Sequence, residues 1–596
     1  MQRILLLASL VWLSLASGAQ PMAKYDEFDL DALERKLEQL LTRYTEHHPD
    51  VRYLRDLIEE ARQDARQTHR QDVQAGSHSK HEQAKGKREN RGQDSLRAAP
   101  DSSPWTPRIL SANSDVYLPD FSYAGYHWSE EAPARDHDVV LDIADFGARP
   151  NDGVDDTSAI RKALEHAEGL SGKVEVQFPS GRFIISDVLL IRRGGILLSG
   201  AGSGSDGTEL HVPVPLSEMK LPPEIAVVAA ARGRHSFSYW GGVIWVQKPL
   251  APDGMWSRRI RAGYRGQFEL EAADPVSVQP GTIIELRWCP RTCPRQDFLN
   301  HLLDGAAIVV NQQLLEMPHL AFQKVTVQRT VGRSIVVKEP LIHDIRPEWA
   351  VSAHAIAPLN EVGIQNISVT FPPDRYAGHY KERGFNALYL EEVANSWIRG
   401  VRIRNADLGL RLADCYNITV SGISTSGRKG HHSINMTRSN NILVTKFSLA
   451  APTIHNPSFD YFATRNVFTD GRIRHARLDQ HGGLNHQNLI DNVRIVTDDV
   501  GRLFENSGRL RPPTAGAFST FWNISVDFQK NSPIVITDAP AARIIGLHGN
   551  GQIDLRYGPH AYVEGLNRSS IQTPSLFNEL LKRRTGQLLP RLSYRK

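Results

Sequence analysis

From residue 385 onward, apolar side chains fall in pairs separated by one position, and the pairs recur. Leu388/Leu390, Leu410/Leu412, Ile434/Met436, Phe459/Tyr461 and Leu478/Gln480 have first members 22, 24, 25 and 19 residues apart. Alternation with a period of two belongs to a strand, and self-similarity at about 20–50 residues belongs to stacked architectures. The pattern therefore predicts one strand per coil of a parallel β-helix, with the paired residues pointing inward. The residues between them face out. That row reads Tyr389, Arg411, Asn435, Asp460, Asp479, and the next reads Glu391, Ala413, Thr437, Phe462, His481. With coils about 4.8 Å apart, Asp460 and Asp479 become neighbours and His481 lies two residues along the same strand. Asn-rich turns such as ADCYNITVSGIS and RSNNILVTKFS predict amide side chains bonding from coil to coil.

The coils begin earlier, at residues 140–210. A short apolar strand ends at Phe146-Gly147 and a Gly/Asn/Asp turn follows. Asp155, Asp156 and Thr157 are N-cap types for a helix with Ile160, Ala163 and Leu164 on one face. Apolar runs then recur every eight to ten residues in KVEVQFPSGRFIISDVLLIRRGGILLSGAGSG. The order Asp-Phe-Gly-Ala, Asn-Asp-Gly, Asp-Asp-Thr, Phe-Pro-Ser-Gly-Arg-Phe and Leu-Ser-Gly-Ala-Gly resembles the opening of pectate-lyase-superfamily β-helices. These include polygalacturonase-clan glycoside hydrolases and several polysaccharide lyases. The resemblance implies an all-β fold, a single-stranded right-handed parallel β-helix with an N-terminal capping helix. It makes Asp155 and Asp156 cap and turn formers, and it implies a carbohydrate substrate.

Other segments set the domain plan. Arg3, the apolar run 4–15 and the small Ser17 and Ala19 predict a signal peptide over 1–19. The protein is then expected outside the cytoplasm, periplasmic or extracellular, in a Gram-negative setting. Leu30, Leu33, Leu37, Leu40 and Tyr44, then Val51, Leu54, Ile58 and Ala61, predict a helical hairpin over 27–68 broken at Pro49. This hairpin resembles the periplasmic coiled segment of polysaccharide chain-length regulators, which implies a protein partner or self-association. Residues 69–104 hold almost no large aliphatics and predict a disordered basic linker. The β-helix is expected over 105–570, with a decorated β-insertion at 205–350. A C-terminal helix and tail over 571–596 is expected to cap the last coil.

Charge and cysteine change the picture little. The 70 basic and 66 acidic residues leave a formal charge of +4, too balanced for nucleic acid as the main partner. No segment after the signal is long and apolar enough to span a membrane. Cys289 and Cys293 flank a Pro-Arg-Thr turn that a disulfide can close, leaving Cys415 over.

Candidate chemistry gathers on the late coils. Lys429, His431 and His432 precede the Ile434 strand, His455 precedes the next, and His486 follows the Asp479 strand. Asp460, Asp479, His481, His432 and Lys429 are the expected catalytic groups. Arg411, Tyr389, Asn435, His431, His455, Tyr461 and His486 are the expected substrate contacts. Basic and imidazole groups outnumber carboxylates there. That favours β-elimination on a uronate-containing polysaccharide, which needs a base beside a neutralised sugar carboxylate. Glycoside hydrolysis by the Asp460/Asp479 pair is the alternative. A non-catalytic, glycan-binding β-helix for exopolysaccharide assembly is the third reading. No cofactor is required and no metal-ligand set is read, although Ca²⁺ on the Asp pair is compatible with a lyase.

Overall fold

The inward pairs become ladders of a right-handed parallel β-helix. The computed structural model describes residues 102–133, 137–232, 236–249, 256–306, 315–476, 478–480, 483–497, 516–529, 534–536 and 539–586. The signal peptide, the helical hairpin, all but the last three residues of the linker, His481 and the tail from 587 lie outside the described residues.

Each regular coil carries three strands. One coil runs Asn386–Glu391, Val393–Arg399 and Arg402–Arg404. The next runs Leu408–Ala413, Tyr416–Ser421 and Ser424–Ser426. Leu388 pairs with Leu410 and Leu410 with Ile434, while Leu390 pairs with Leu412 and Leu412 with Met436. All six are buried in one continuous core.

The Asn-rich turns have a conformational cause as well as a stacking one. Asn417, Asn441, Arg465 and Gln487 occupy the same corner of successive coils with φ between 52° and 58°. That left-handed region costs Asn less than most residues. Amide stacking holds at Asn466, whose Nδ2 donates to Asn488 Oδ1 at 3.0 Å.

The helix Thr157–Gly169 covers the first coil with Ile160, Ala163, Leu164 and Ala167. Its neighbouring carboxylates are occupied structurally. Asp155 accepts from Thr157 N at 2.9 Å, and Asp156 accepts from Arg149 N at 2.9 Å and Ile184 N at 3.2 Å.

Between Ile244–Gln247 and Leu359–Asn360 the chain leaves the solenoid. Ser257–Gly263, Glu269–Ala272, Ile283–Trp288, Ala321–Val331, Ser334–Val337 and Ser352–Ile356 close into a six-stranded antiparallel barrel. Cys289 and Cys293 are bridged just after one barrel strand, and Cys415 is buried outside any disulfide. The barrel docks on the solenoid through a buried ion cluster. Glu285 meets Arg287 at 2.7 Å, Arg438 at 3.2 Å and Lys324 at 3.5 Å, and Arg438 meets Asp414 at 2.7 Å.

The helix Leu576–Thr585 does not close the last coil, contrary to expectation. It lies along a flank, where one ladder turns apolar side chains outward in two neighbouring rows, Leu443, Val467 and Leu489 in one and Trp522 and Ile545 in the other. Leu576, Phe577 and Leu581 cover those rows together with Trp105, Ile109 and Phe121 from the start of the domain. The rows were inviting because a solenoid flank with aliphatics must be covered somewhere. Buried Asp491 fixes the helix start, accepting from Ser575 Oγ at 2.6 Å, Leu576 N at 2.8 Å and Thr469 Oγ1 at 2.8 Å. Asp491→Ala strips these donors of their acceptor and is expected to cost about 2–3 kcal/mol. Urea denaturation of the variant checks this, and a loss below about 0.5 kcal/mol would contradict the cap. Among the described residues no helix is long and apolar enough to cross a membrane.

Candidate functional site

The sheet that carries the predicted outward row contains Leu189–Ile191, Ile244–Gln247, Asn386–Glu391, Leu408–Ala413, Gly430–Thr437, Ser458–Phe459 and Asp479–Gln480, with Thr453–His455 beside Gly430–Thr437. Tyr389 pairs with Arg411, Arg411 with Asn435, Asn435 with Ser458, and Ser458 with Asp479. Ser458 therefore holds the place expected for Asp460. The coil has one residue too many for the simple alternation. Met436 pairs with Phe459, yet Arg438 N donates to Tyr461 O. Asp460 and Tyr461 thus share the space opposite Thr437. Asp460 accepts from Tyr461 N at 2.8 Å and Thr437 Oγ1 at 3.3 Å. Tyr461 lies at the turn against Gly483 instead of pointing inward, and Phe462 meets Phe322 of the barrel edge-on.

The row is also covered. Arg411 is 9% exposed, Asn435 and Ser458 are 0%, and Asp479 is 2%. Two excursions between coils roof this face: the segment 236–243 and the loop 371–385. Tyr389 belongs to the roof packing, with its ring 5.0 Å from Trp245 and 6.2 Å from Trp240. It is a buried aromatic and not the open sugar platform expected. His486 is elsewhere again. It sits beneath the barrel, its Nε2 2.9 Å from His343 Nε2, and burial holds it down to about 4.

What the fold does bring together is a set of imidazoles at the N-terminal ends of the sheet strands. His432 and His455 are register partners on adjacent coils. Their rings stack with centroids 4.7 Å apart and planes at 22°, matching the coil spacing of about 4.8 Å. His431 lies 4.1 Å from His432 and 5.3 Å from His455. The loop adds His379, 4.7 Å from His431 and 6.1 Å from His455, and Tyr380 stacked on His379 at 3.9 Å.

Two of the buried rings are oriented by polar neighbours. His455 Nδ1 meets Asp479 Oδ2 at 3.0 Å, and that oxygen also accepts from Ser458 Oγ at 2.7 Å. Asn435 Nδ2 donates to Ser458 at 3.2 Å, so the outward row is a hydrogen-bonded relay ending on the imidazole. His431 Nδ1 meets Ser238 O at 2.8 Å and Glu382 Oε1 at 3.5 Å. Burial pushes the Glu382 carboxyl up to about 7, against a hydrogen bond from Tyr376. Two cations, the buried Arg411 and the exposed Lys429, meet aromatic rings of the two roof segments. The Arg411 guanidinium lies 5.9 Å from the Tyr239 ring, and Lys429 Nζ lies 5.7 Å from the Tyr376 ring.

His379, Glu382, Tyr376 and Tyr239 were not among the expected site residues. They lie on the roof segments, which show no coil period. The only local signal is the mix of aromatic, histidine and charged residues in RYAGHYKER.

No family model matches the chain, and no curated protein matches it. Solved structures do. The tailspike protein gp49 of Pseudomonas phage LKA1 is 12% identical over 71% of this chain and 77% of its own, with a TM-score of 0.39. The gp54 tailspike of Acinetobacter baumannii bacteriophage AP22, solved with A. baumannii capsular saccharide, is 10% identical over 71% and 65%, with a TM-score of 0.38. DFA-IIIase from Arthrobacter chlorophenolicus A6 without its lid is 12% identical over 71% and 93%, with a TM-score of 0.36. Likenesses this distant transfer no chemistry.

Proposed function

We propose that the protein is a carbohydrate-active β-helix that binds an acidic polysaccharide at the roofed sheet and cleaves it by β-elimination. The observation that carries this reading is the imidazole cluster on the sheet, together with Arg411 and Lys429. Elimination at a uronate needs positive charge at the sugar carboxylate and a base beside the acidified C–H. Arg411 and Lys429 supply the charge. His432, stacked on His455 and beside His431, is the base, and the relay from Asn435 through Ser458 and Asp479 fixes the ring on which it stacks.

The roof has a role in this reading. By covering the sheet it excludes water, which strengthens each charge–charge interaction within. The Asp460/Asp479 hydrolase reading loses support, because Asp460 is displaced from the row and Asp479 is taken up by His455 and Ser458.

The experiment is incubation with a panel of uronate-rich polysaccharides, reading ultraviolet absorbance and new reducing ends together. The two signals are expected to rise in step, because elimination leaves an unsaturated uronate at each cut. Reducing ends without absorbance would assign hydrolysis. Neither signal, with retardation on polysaccharide-containing gels, would assign binding alone.

A further inference from the structure

We propose that His379, His431 and His455 hold a divalent transition-metal ion, with zinc as the reference case. One nitrogen from each ring lies within 4.8 Å of the other two. Two of the three histidines are buried, on adjacent coils of a rigid sheet, and the third is on the exposed roof loop. In a tetrahedral site with bonds of about 2.1 Å the nitrogens stand roughly 3.4 Å apart. The remaining closure falls to His379, whose loop position leaves it room to move.

The surroundings of the rings match what a metal requires. A ligating imidazole donates its other N–H to a carboxylate or carbonyl, which fixes the tautomer and turns the remaining lone pair to the ion. His455 has Asp479 on Nδ1 at 3.0 Å, and His431 has the Ser238 carbonyl on Nδ1 at 2.8 Å. Both therefore present Nε2. Asp479 is itself held by Ser458, so the support extends one residue further.

The ligand chemistry decides the ion. Three neutral nitrogen donors with no carboxylate oxygen suit zinc and its neighbours, whereas calcium and magnesium take oxygen ligands. Three protein ligands leave a coordination position open, as in catalytic sites. An ion there sits on the same sheet as Arg411. Its use in cleavage, as a further positive centre at the sugar carboxylate, rests on the polysaccharide reading above, whereas its binding does not.

The test uses the full chain stripped with chelator and titrated with Zn²⁺, Co²⁺, Ca²⁺ and Mg²⁺ by calorimetry, with the visible spectrum recorded for Co²⁺. One Zn²⁺ per chain is expected, with Ca²⁺ and Mg²⁺ at least 100-fold weaker by the donor argument, which takes about 100-fold as its threshold. Bound Co²⁺ is expected to show the visible bands of a nitrogen-ligated site of low coordination number. His379→Gln, on the exposed loop, is expected to weaken Zn²⁺ binding and abolish the Co²⁺ bands. Asp479→Asn is expected to weaken binding about 10–100-fold. Zn²⁺ binding that is absent, or that His379→Gln leaves unchanged, overturns the proposal. Stoichiometric Zn²⁺ binding by a protein that neither binds nor cleaves any polysaccharide of the panel supports the metal site and overturns the carbohydrate reading alone. Cleavage by the stripped protein without Zn²⁺ affinity does the reverse.

Discussion

Glu285→Gln is expected to destabilise the domain by about 3–5 kcal/mol, the usual result of removing one partner from a buried ion cluster. Glu285 and Lys324 are 3% and 2% exposed, and three cations converge on the one carboxylate. Glutamine keeps the shape and removes the charge. Among the described residues Lys324 then keeps Asp414, at 3.5 Å, as its carboxylate partner. The damage falls on the joint between barrel and solenoid, since Glu285, Arg287 and Lys324 come from barrel strands and Asp414 and Arg438 from solenoid turns. Burial alone would raise the Glu285 carboxyl, but Arg438, Lys324 and Arg287 together hold it well below the usual carboxylate range. A depressed folded value gives stability that is full above the unfolded value of about 4.3 and is lost as pH falls below it. The gap between the natural protein and Glu285→Gln is thus expected to be widest near neutrality and to shrink below about pH 4. Guanidinium denaturation at both pH values measures it. A gap that is small at neutral pH, or that grows in acid, would remove the clasp from the argument. Pairing Glu285→Gln with Lys324→Met is expected to recover part of the loss, because the double variant leaves one fewer buried charge uncompensated.

The second large effect is on turnover. His432→Ala is expected to lower kcat by about 10²–10⁴-fold, the range for loss of a general base. Retardation on polysaccharide gels is expected to stay within a few-fold of the natural protein, because the binding cations Arg411 and Lys429 remain. Arg411→Ala is expected to show the opposite balance, with binding lost first. A His432→Ala protein that cleaves within about 10-fold of the natural rate would move the base to another residue. Since His432 is buried against two rings, His432→Gln serves as a check that any loss is chemical and not a collapse of the stack.

The coil rhythm was readable because the inward residues obey one rule on every coil. Leu388, Leu410 and Ile434 must be apolar, and their spacing gives the register directly. The expectation failed at Asp460 because Phe459 stands opposite Met436 and not Ile434, a register two residues away from the expected one. A shift of two keeps every side chain on its face, so the alternation in NPSFDYF fits both registers equally well. Tyr389 was misread for a different reason. An aromatic in an outward position serves equally as a sugar platform or as packing for a roof, and only the fold supplies Trp240 from the roof and Trp245 beside it on the adjacent strand. His431, His432 and His455 stood out in the sequence as a concentration of one residue type. Their partner His379 could not, because no periodicity ties a roof loop to the coil it covers.

The flank beneath the terminal helix bears on how the protein is made. Trp105 Nε1 donates to Ser569 O, a partner 464 residues later in the chain, and Trp105 forms a bridge with Ile571. The coils between can stack as they leave the ribosome, each on the one before. The opening segment cannot: Trp105 and Phe121 emerge early, and the cluster they join is complete only when residues 569–585 have been translated. A nascent or truncated chain therefore shows a sticky aromatic edge until synthesis finishes. The same contact that seals the mature domain marks an unfinished one for chaperones and proteases.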